Sequence, residues 1–188
     1  MLDSAVIWTH SCLQLARTSS LTLPTPCSAW DLGELLVHMA DSLVTLAEAA
    51  ELGRVDLEPD QAPPRSDPGQ LVDHIVQRAC RTRAAWQQRL TSAPVAVGDL
   101  ALGRDTLVMV GALEIAVHGW DVACAAGRTR AVPEDLAVSL YDVALAVVTP
   151  EERGRRFAPP VEVAASEPDV GHVRNRAGGS ATLGAGRG

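Results

Sequence analysis

Residues 113–123 read "LEIAVHGWDVA", an apolar run that nonetheless carries Glu114, His118 and Asp121. On a helix, residues four apart lie on one face with their Cβ atoms about 5–6 Å apart. Glu114 and His118 can therefore reach one point in space, an arrangement a metal ion uses directly. A Glu–His hydrogen bond on a helix surface uses the same spacing, and the spacing alone does not choose between them. The setting adds weight to the metal. Leu113, Ile115, Ala116, Val117 and Trp120 flank the pair, and a carboxylate among apolar neighbours needs a partner because an unpaired buried charge is costly.

Outward from this segment the pattern is helical almost throughout. The run itself predicts a helix over 105–126 that ends near Gly127. A first helix is expected over 3–19, with Val6, Leu13 and Ala16 facing inward, before Pro24 and Pro26 break the pattern. Ser28 followed by Asp31 resembles a capping box opening a second helix, which Gly53 would stop. Leu32, Leu35, Leu36, Met39, Leu43, Leu46 and Ala50 fall on its inner face. His38 lies beside that stripe with Asp31, Ser42 and Thr45, forming a polar seam of the kind a lined pocket needs. Alone, a His in such a place is a surface or capping residue.

Residues 54–69 hold four prolines and no periodicity. A connection of this length lets the helices on either side run parallel. A third helix is expected over 70–91, with Leu71, Val72, Ile75, Val76, Ala79, Trp86 and Leu90 on one side. Residues 92–104 form a further connection, with one short extended stretch near 94–97. A fifth helix over 134–148 follows Pro133, which suits a first helical turn. The chain divides into a helical bundle over 1–160 and a Gly-rich, disordered tail over 161–188.

Composition narrows the function classes. The 188 residues carry a net charge of -7, so no general phosphate field favours nucleic acid. All 16 basic residues are Arg, as in proteins from GC-rich genomes. No apolar run is expected to reach the roughly 18 residues of a membrane span, and nothing at the N-terminus resembles a signal peptide. Cys12, Cys27, Cys80 and Cys124 are scattered, form no C-x-x-C pair, and read as fillers in a reduced, cytoplasmic protein. Cys27, just ahead of a helix, is the one with a route to a lowered pKa. His10, His74 and His172 show no partner pattern and read as solvated. Trp120 reads as core and Trp30 as an anchor for the start of the second helix.

Two segments carry a resemblance. "TPCSAWDLGELLVHMADSL", from Thr25, is similar to the "TPC-x-GW-(five residues)-LL-x-H" segment of mycothiol-dependent maleylpyruvate isomerase-like proteins, within the DinB-like superfamily. "LEIAVHGWDVACAAGR", from Leu113, resembles their "E-x-x-x-HGWD-x-A-x-A-x-G" segment. The likeness covers about residues 5–150 and departs at Ala29, where the pattern has Gly. The isomerase proper also has a separate C-terminal domain that contributes to its substrate site; the Gly-rich tail stands at that place here.

The resemblance implies an all-α, DinB-like four-helix bundle in up-down-down-up order, here with an extra C-terminal helix. It also implies a divalent metal, usually zinc, held by His38, Glu114 and His118. Two His, one Glu and an open position match the ligand count of a catalytic zinc site. Such an ion can activate a thiol, as with mycothiol in relatives that use it, or a water. Asp121, one turn beyond His118, could orient that imidazole as a hydrogen-bond acceptor; a cap or an Arg partner is the alternative. Three functions follow: a metal-dependent thiol transferase or isomerase acting on a small electrophile, a metal-dependent hydrolase, lyase or cyclase without thiol, or a non-enzymatic metal- or ligand-binding module. A homodimer is compatible with the chain, since Leu- and Val-rich bundles of this size often pair.

Overall fold

The computed structural model describes residues 1–55, 67–128, 130–153 and 157. Five α-helices dominate them: α1 Leu2–Ala16, α2 Leu32–Leu52, α3 Pro68–Gln88, α4 Arg104–Ala125 and α5 Glu134–Val147. The expected tail over 161–188, most of the 54–69 connection and His172 lie outside the described residues.

Local chemistry sets the ends of the helices. Asp31 caps α2 by accepting from Glu34 N, while Glu34 reaches back to the Asp31 amide. This reciprocal pair is the capping box, and it corrects the expected Ser28–Asp31 box by one turn. The helix stops at Gly53, whose φ of 69° is left-handed. Asp67 caps α3 and Pro68 fills its first turn. Because α3 ends at Gln88, Leu90 is 95% exposed and does not join the inner face as expected. α1 stops at Ala16, three residues short of the expected end. Pro133 sits at the N-cap of α5 and not inside its first turn.

Cross-helix contacts fix the direction of each helix. Asp3 pairs with Arg83 and Arg17 with Asp73, so α1 and α3 run antiparallel. Arg78 meets Asp41, Thr82 bonds Leu43 O and Arg89 bonds Ala50 O, so α2 and α3 run parallel. His38 meets Glu114 and Leu46 meets Gly111, so α2 and α4 run antiparallel. The order is up-down-down-up, with a long connection between the two parallel members.

The all-α expectation needs one local amendment. β1 Arg54–Val55 pairs parallel with β2 Val95–Val97, which pairs antiparallel with β3 Leu100–Leu102. Only the stretch near 94–97 was anticipated. Strands of two or three residues are too short to show period-2 alternation. The sheet closes the bottom of the bundle, and the Arg89 guanidinium ties it to α2 by bonding Ala50 O and Ala93 O, each at 3.0 Å.

α4 is the central helix, with every residue from Gly111 to Gly119 buried. Contrary to the expectation that no run would be long enough, α4 is apolar and long enough to cross a membrane by composition and length. Two thirds of that window is buried inside the bundle. A helix enclosed on all sides needs the same composition as a span.

Two glycines let the neighbours close on α4. A Cβ at Gly119 would lie 2.6 Å from Thr9 Oγ1, and one at Gly111 would lie 2.7 Å from Leu46 Cδ2. Thr9 cannot yield easily, because its hydroxyl donates to Ile115 O at 3.0 Å in the buried α1–α4 contact. Gly119→Ala is expected to destabilise the fold by about 1–3 kcal/mol through overpacking, read as a lower urea midpoint at unchanged slope. An unchanged midpoint would show that α1 moves away freely.

Candidate metal centre

The site is built from α2 and α4. The Asp31–Glu34 box starts α2, and two turns later His38 faces α4. On α4, Glu114, His118 and Asp121 follow at i, i+4 and i+7, one polar row on an otherwise apolar buried helix. Glu114 Oε1 receives both imidazoles: His38 Nε2 lies 2.8 Å away and His118 Nε2 3.1 Å away. The His rings stand almost perpendicular, at 86°, with centroids 4.9 Å apart. Glu114 and His118 are buried and His38 is half-buried.

Both imidazoles and the carboxylate carry lone pairs, so the cluster needs a cation or protons at its centre. Asp121 Oδ2 lies 3.2 Å from His118 Nδ1. That contact calls for a proton on Nδ1, which turns the Nε2 lone pair toward Glu114. Among the described residues, His38, Glu114 and His118 form a group whose ligand atoms lie within 4.8 Å of one another. The edges of a tetrahedral zinc site with bonds of about 2.0–2.1 Å are roughly 3.3 Å long. The two edges meeting at Glu114 Oε1 fall a few tenths of an ångström short of that, so the residues fit such an ion with slight expansion. The N2O donor set suits zinc and similar borderline ions.

The same geometry governs protonation in the absence of metal. Burial pushes the Glu114 carboxyl up, but the charge on His118 and hydrogen bonds from both His bring it down to about 2. Burial lowers the His118 pKa, but Glu114 and Asp121 outweigh it and raise it to about 10. Metal-free His118 thus holds a proton at neutral pH.

Trp30 has a closer part than anchoring the helix start. Its indole lies on the His38 ring at a centroid distance of 4.4 Å and an angle of 36°. The 24–31 loop holds it there. The Thr25 hydroxyl contacts Cys27 O and Trp30 O at 2.8 Å each, and Trp30 N donates to Cys27 O. Ser42 Oγ, 3.4 Å from His38 Nε2, marks the polar seam expected from sequence. The spacing of Trp30 eight residues before His38 gave no sign of the ring contact, because a loop, not a helix, carries Trp30.

The remaining candidates separate. Trp120 packs half-buried against the core. His10 and His74 are exposed, and His10 meets only Gln14 within its own helix among the side-chain bonds described. Cys12 and Cys27 are buried fillers, and burial pushes the Cys12 thiol up to about 11. Cys80 is exposed and Cys124 half-buried, so the filler reading fails for these two. α2 begins after Asp31, which leaves Cys27 in the preceding loop and not at the helix N-terminus.

His118→Ala is expected to abolish stoichiometric metal, measured by mass spectrometry; unchanged content would refute the ligand assignment. Asp121→Asn should weaken metal binding about 10–100-fold without loss of helicity. Because the ion must displace the His118 proton, apparent affinity should rise about tenfold per unit between roughly pH 6 and 8. Calorimetry in buffers of different ionisation enthalpy should count about one proton released.

Residues 8–123 match the mycothiol maleylpyruvate isomerase N-terminal domain family. The chain is also similar to uncharacterized proteins of Mycobacterium tuberculosis strains CDC 1551 and H37Rv. Each is 28% identical over 144 residues, covering 73% of this chain and 72% of the relative. The match spans α2 and reaches Glu114 and His118 on α4. The chain therefore belongs to the mycothiol maleylpyruvate isomerase N-terminal domain family.

Proposed function

We propose that this chain is a metal-dependent thiol transferase or isomerase, using a divalent ion, zinc by the donor set, to activate a mycothiol-like thiol against a small electrophile. The observation that carries the reading is where Glu114 and His118, two of the three proposed ligands, sit. Glu114 and His118 form part of the wall of a cavity of about 270 Å³ that extends between the helices. A purely structural site has no need of an adjoining cavity.

When bound, the ion would supply Lewis acidity, lowering the pKa of a thiol held at an open coordination position. The protein does the rest. His38, Glu114 and His118 offer two neutral donors and one anion, so the site keeps a net positive charge that favours a thiolate over a thiol. Asp121 holds the proton on His118 Nδ1 and with it the ring orientation. Trp30 lies against His38 on one side. The apolar cavity walls keep bulk water from competing with the thiol. Family membership supports the thiol over water as the nucleophile. The four free cysteines are in keeping with a reducing compartment, where a low-molecular-weight thiol is available.

The test is to incubate the zinc-loaded chain with mycothiol and a panel of electrophiles. Thiol-dependent conversion that disappears in Glu114→Ala is the expected result. Conversion that proceeds equally without thiol would replace this reading with a water-using hydrolase or lyase. Loss of melting temperature as the sole effect of metal removal would reduce the site to a structural one.

A further inference from the structure

The cavity beside the ligands is almost wholly apolar. Val6, Leu13, Leu43, Ile75, Val76 and Ile115 form its walls, and all four bundle helices contribute. Its exposed residues lie on α1 and α3: Ile7, His10 and Cys80. The mouth therefore opens through the α1–α3 seam and the floor holds Glu114 and His118. The one cationic Lys or Arg side chain among its lining residues is Arg83, whose Nε already donates to Asp3 Oδ1 at 2.6 Å.

We infer that the substrate of this site is an uncharged, apolar small molecule that enters between α1 and α3 and lies along the aliphatic walls with its reacting end toward Glu114 and His118. The inference rests on the reading of the site given above and adds the class of molecule. Even with one carboxylate on the ion, a dicarboxylate would have to lay its second charged group against aliphatic side chains, which costs several kcal/mol for want of a partner. Arg83 at the rim offers little help, because Asp3 competes for it. An apolar molecule gains burial along the whole passage. Size follows from volume: a cavity of about 150 Å³ accommodates benzene, so the 270 Å³ here suits a molecule on the order of ten to fifteen non-hydrogen atoms.

The test uses the full zinc-loaded chain with 1-aminonaphthalene, neutral at pH 7 and of the right size, followed by fluorescence and calorimetry. Saturable one-to-one binding is expected. Ala79→Phe, which fills the buried α3 wall, should weaken it at least about tenfold while stoichiometric zinc is retained. Ile7→Trp should obstruct the mouth and weaken it likewise; Ile7 is 63% exposed, so this variant does not depend on the core accepting a larger side chain. Maleate in large excess should fail to displace the probe. Absence of saturable binding, indifference to both substitutions, or displacement by maleate at concentrations comparable with the probe overturns the inference. A chain that binds the probe with these sensitivities but takes up no zinc would overturn the metal reading and support the apolar ligand class independently.

Discussion

A carboxylate at the centre of a helix enclosed on every side is the constraint around which this protein is arranged. Glu114 is 4% exposed and lies among residues buried without interruption from Gly111 to Gly119. Unpaired, such a charge would cost several kcal/mol, comparable to the whole margin of a domain's stability. The structure offsets this with two imidazoles on one oxygen, one from the same helix and one from its neighbour. Asp121 then compensates His118 from behind. The row therefore alternates acid, base and acid along one edge of α4. A divalent ion extends the same electrostatic logic, since it satisfies all three lone pairs where a single proton satisfies one contact at a time.

Backbone packing makes this convergence possible. A His38 side chain reaches Glu114 only if α2 lies close against α4, and Gly111 permits that by leaving room for Leu46. Gly119 does the same for Thr9 on α1, whose hydroxyl closes on Ile115 O. The two glycines bracket the Glu114–His118 pair, so small residues occur where the site needs close helices. The "HGWD" segment thus combines an imidazole of the cluster, a packing glycine, a half-buried indole and a carboxylate bonded to that imidazole in four consecutive positions. Its composition is as much a requirement of the interior as of the chemistry.

Much of this was readable from sequence because the relevant signals are local and periodic. The 3.6-residue repeat of Leu32, Leu35, Leu36, Met39 and Leu43 defines the inner face of α2, and all five are buried. The i, i+4 spacing of Glu114 and His118 survives folding because a helix preserves it. His38 could be matched to them only through the resemblance, since no periodicity relates residues 76 positions apart. What escaped lacks a period. The capping box was displaced because Ser28 and Asp31 both occur at plausible cap spacings, and the loop geometry selects Asp31. The three short strands carry too few residues to register. Trp30 reaches His38 through a loop held by the Thr25 hydroxyl, a tertiary contact with no sequence spacing of its own. Leu90 followed the helical pattern past the point where the backbone leaves the helix.

The helix order also decides from which side the site is reached. Up-down-down-up topology sets α1 and α3 antiparallel, and their ion pairs lie toward opposite ends: Asp3 with Arg83 at one, Arg17 with Asp73 at the other. Between them the seam is spanned by apolar side chains and is where the cavity opens. On the far side of the cluster, α4 itself and the Trp30 loop cover the imidazoles. Approach through the seam meets the Glu114–His118 edge, and approach from the loop side meets an indole. The asymmetry follows from chain connectivity: the loop preceding α2 crosses the end of the bundle beside His38, whereas among the described residues no connection passes over the middle of the α1–α3 seam. A bundle with simple up-down-up-down order would join α2 to α3 by a short turn and make them antiparallel. The long connection that sets them parallel turns α3 antiparallel to α1, so the cavity opens between two helices that are not consecutive in the chain.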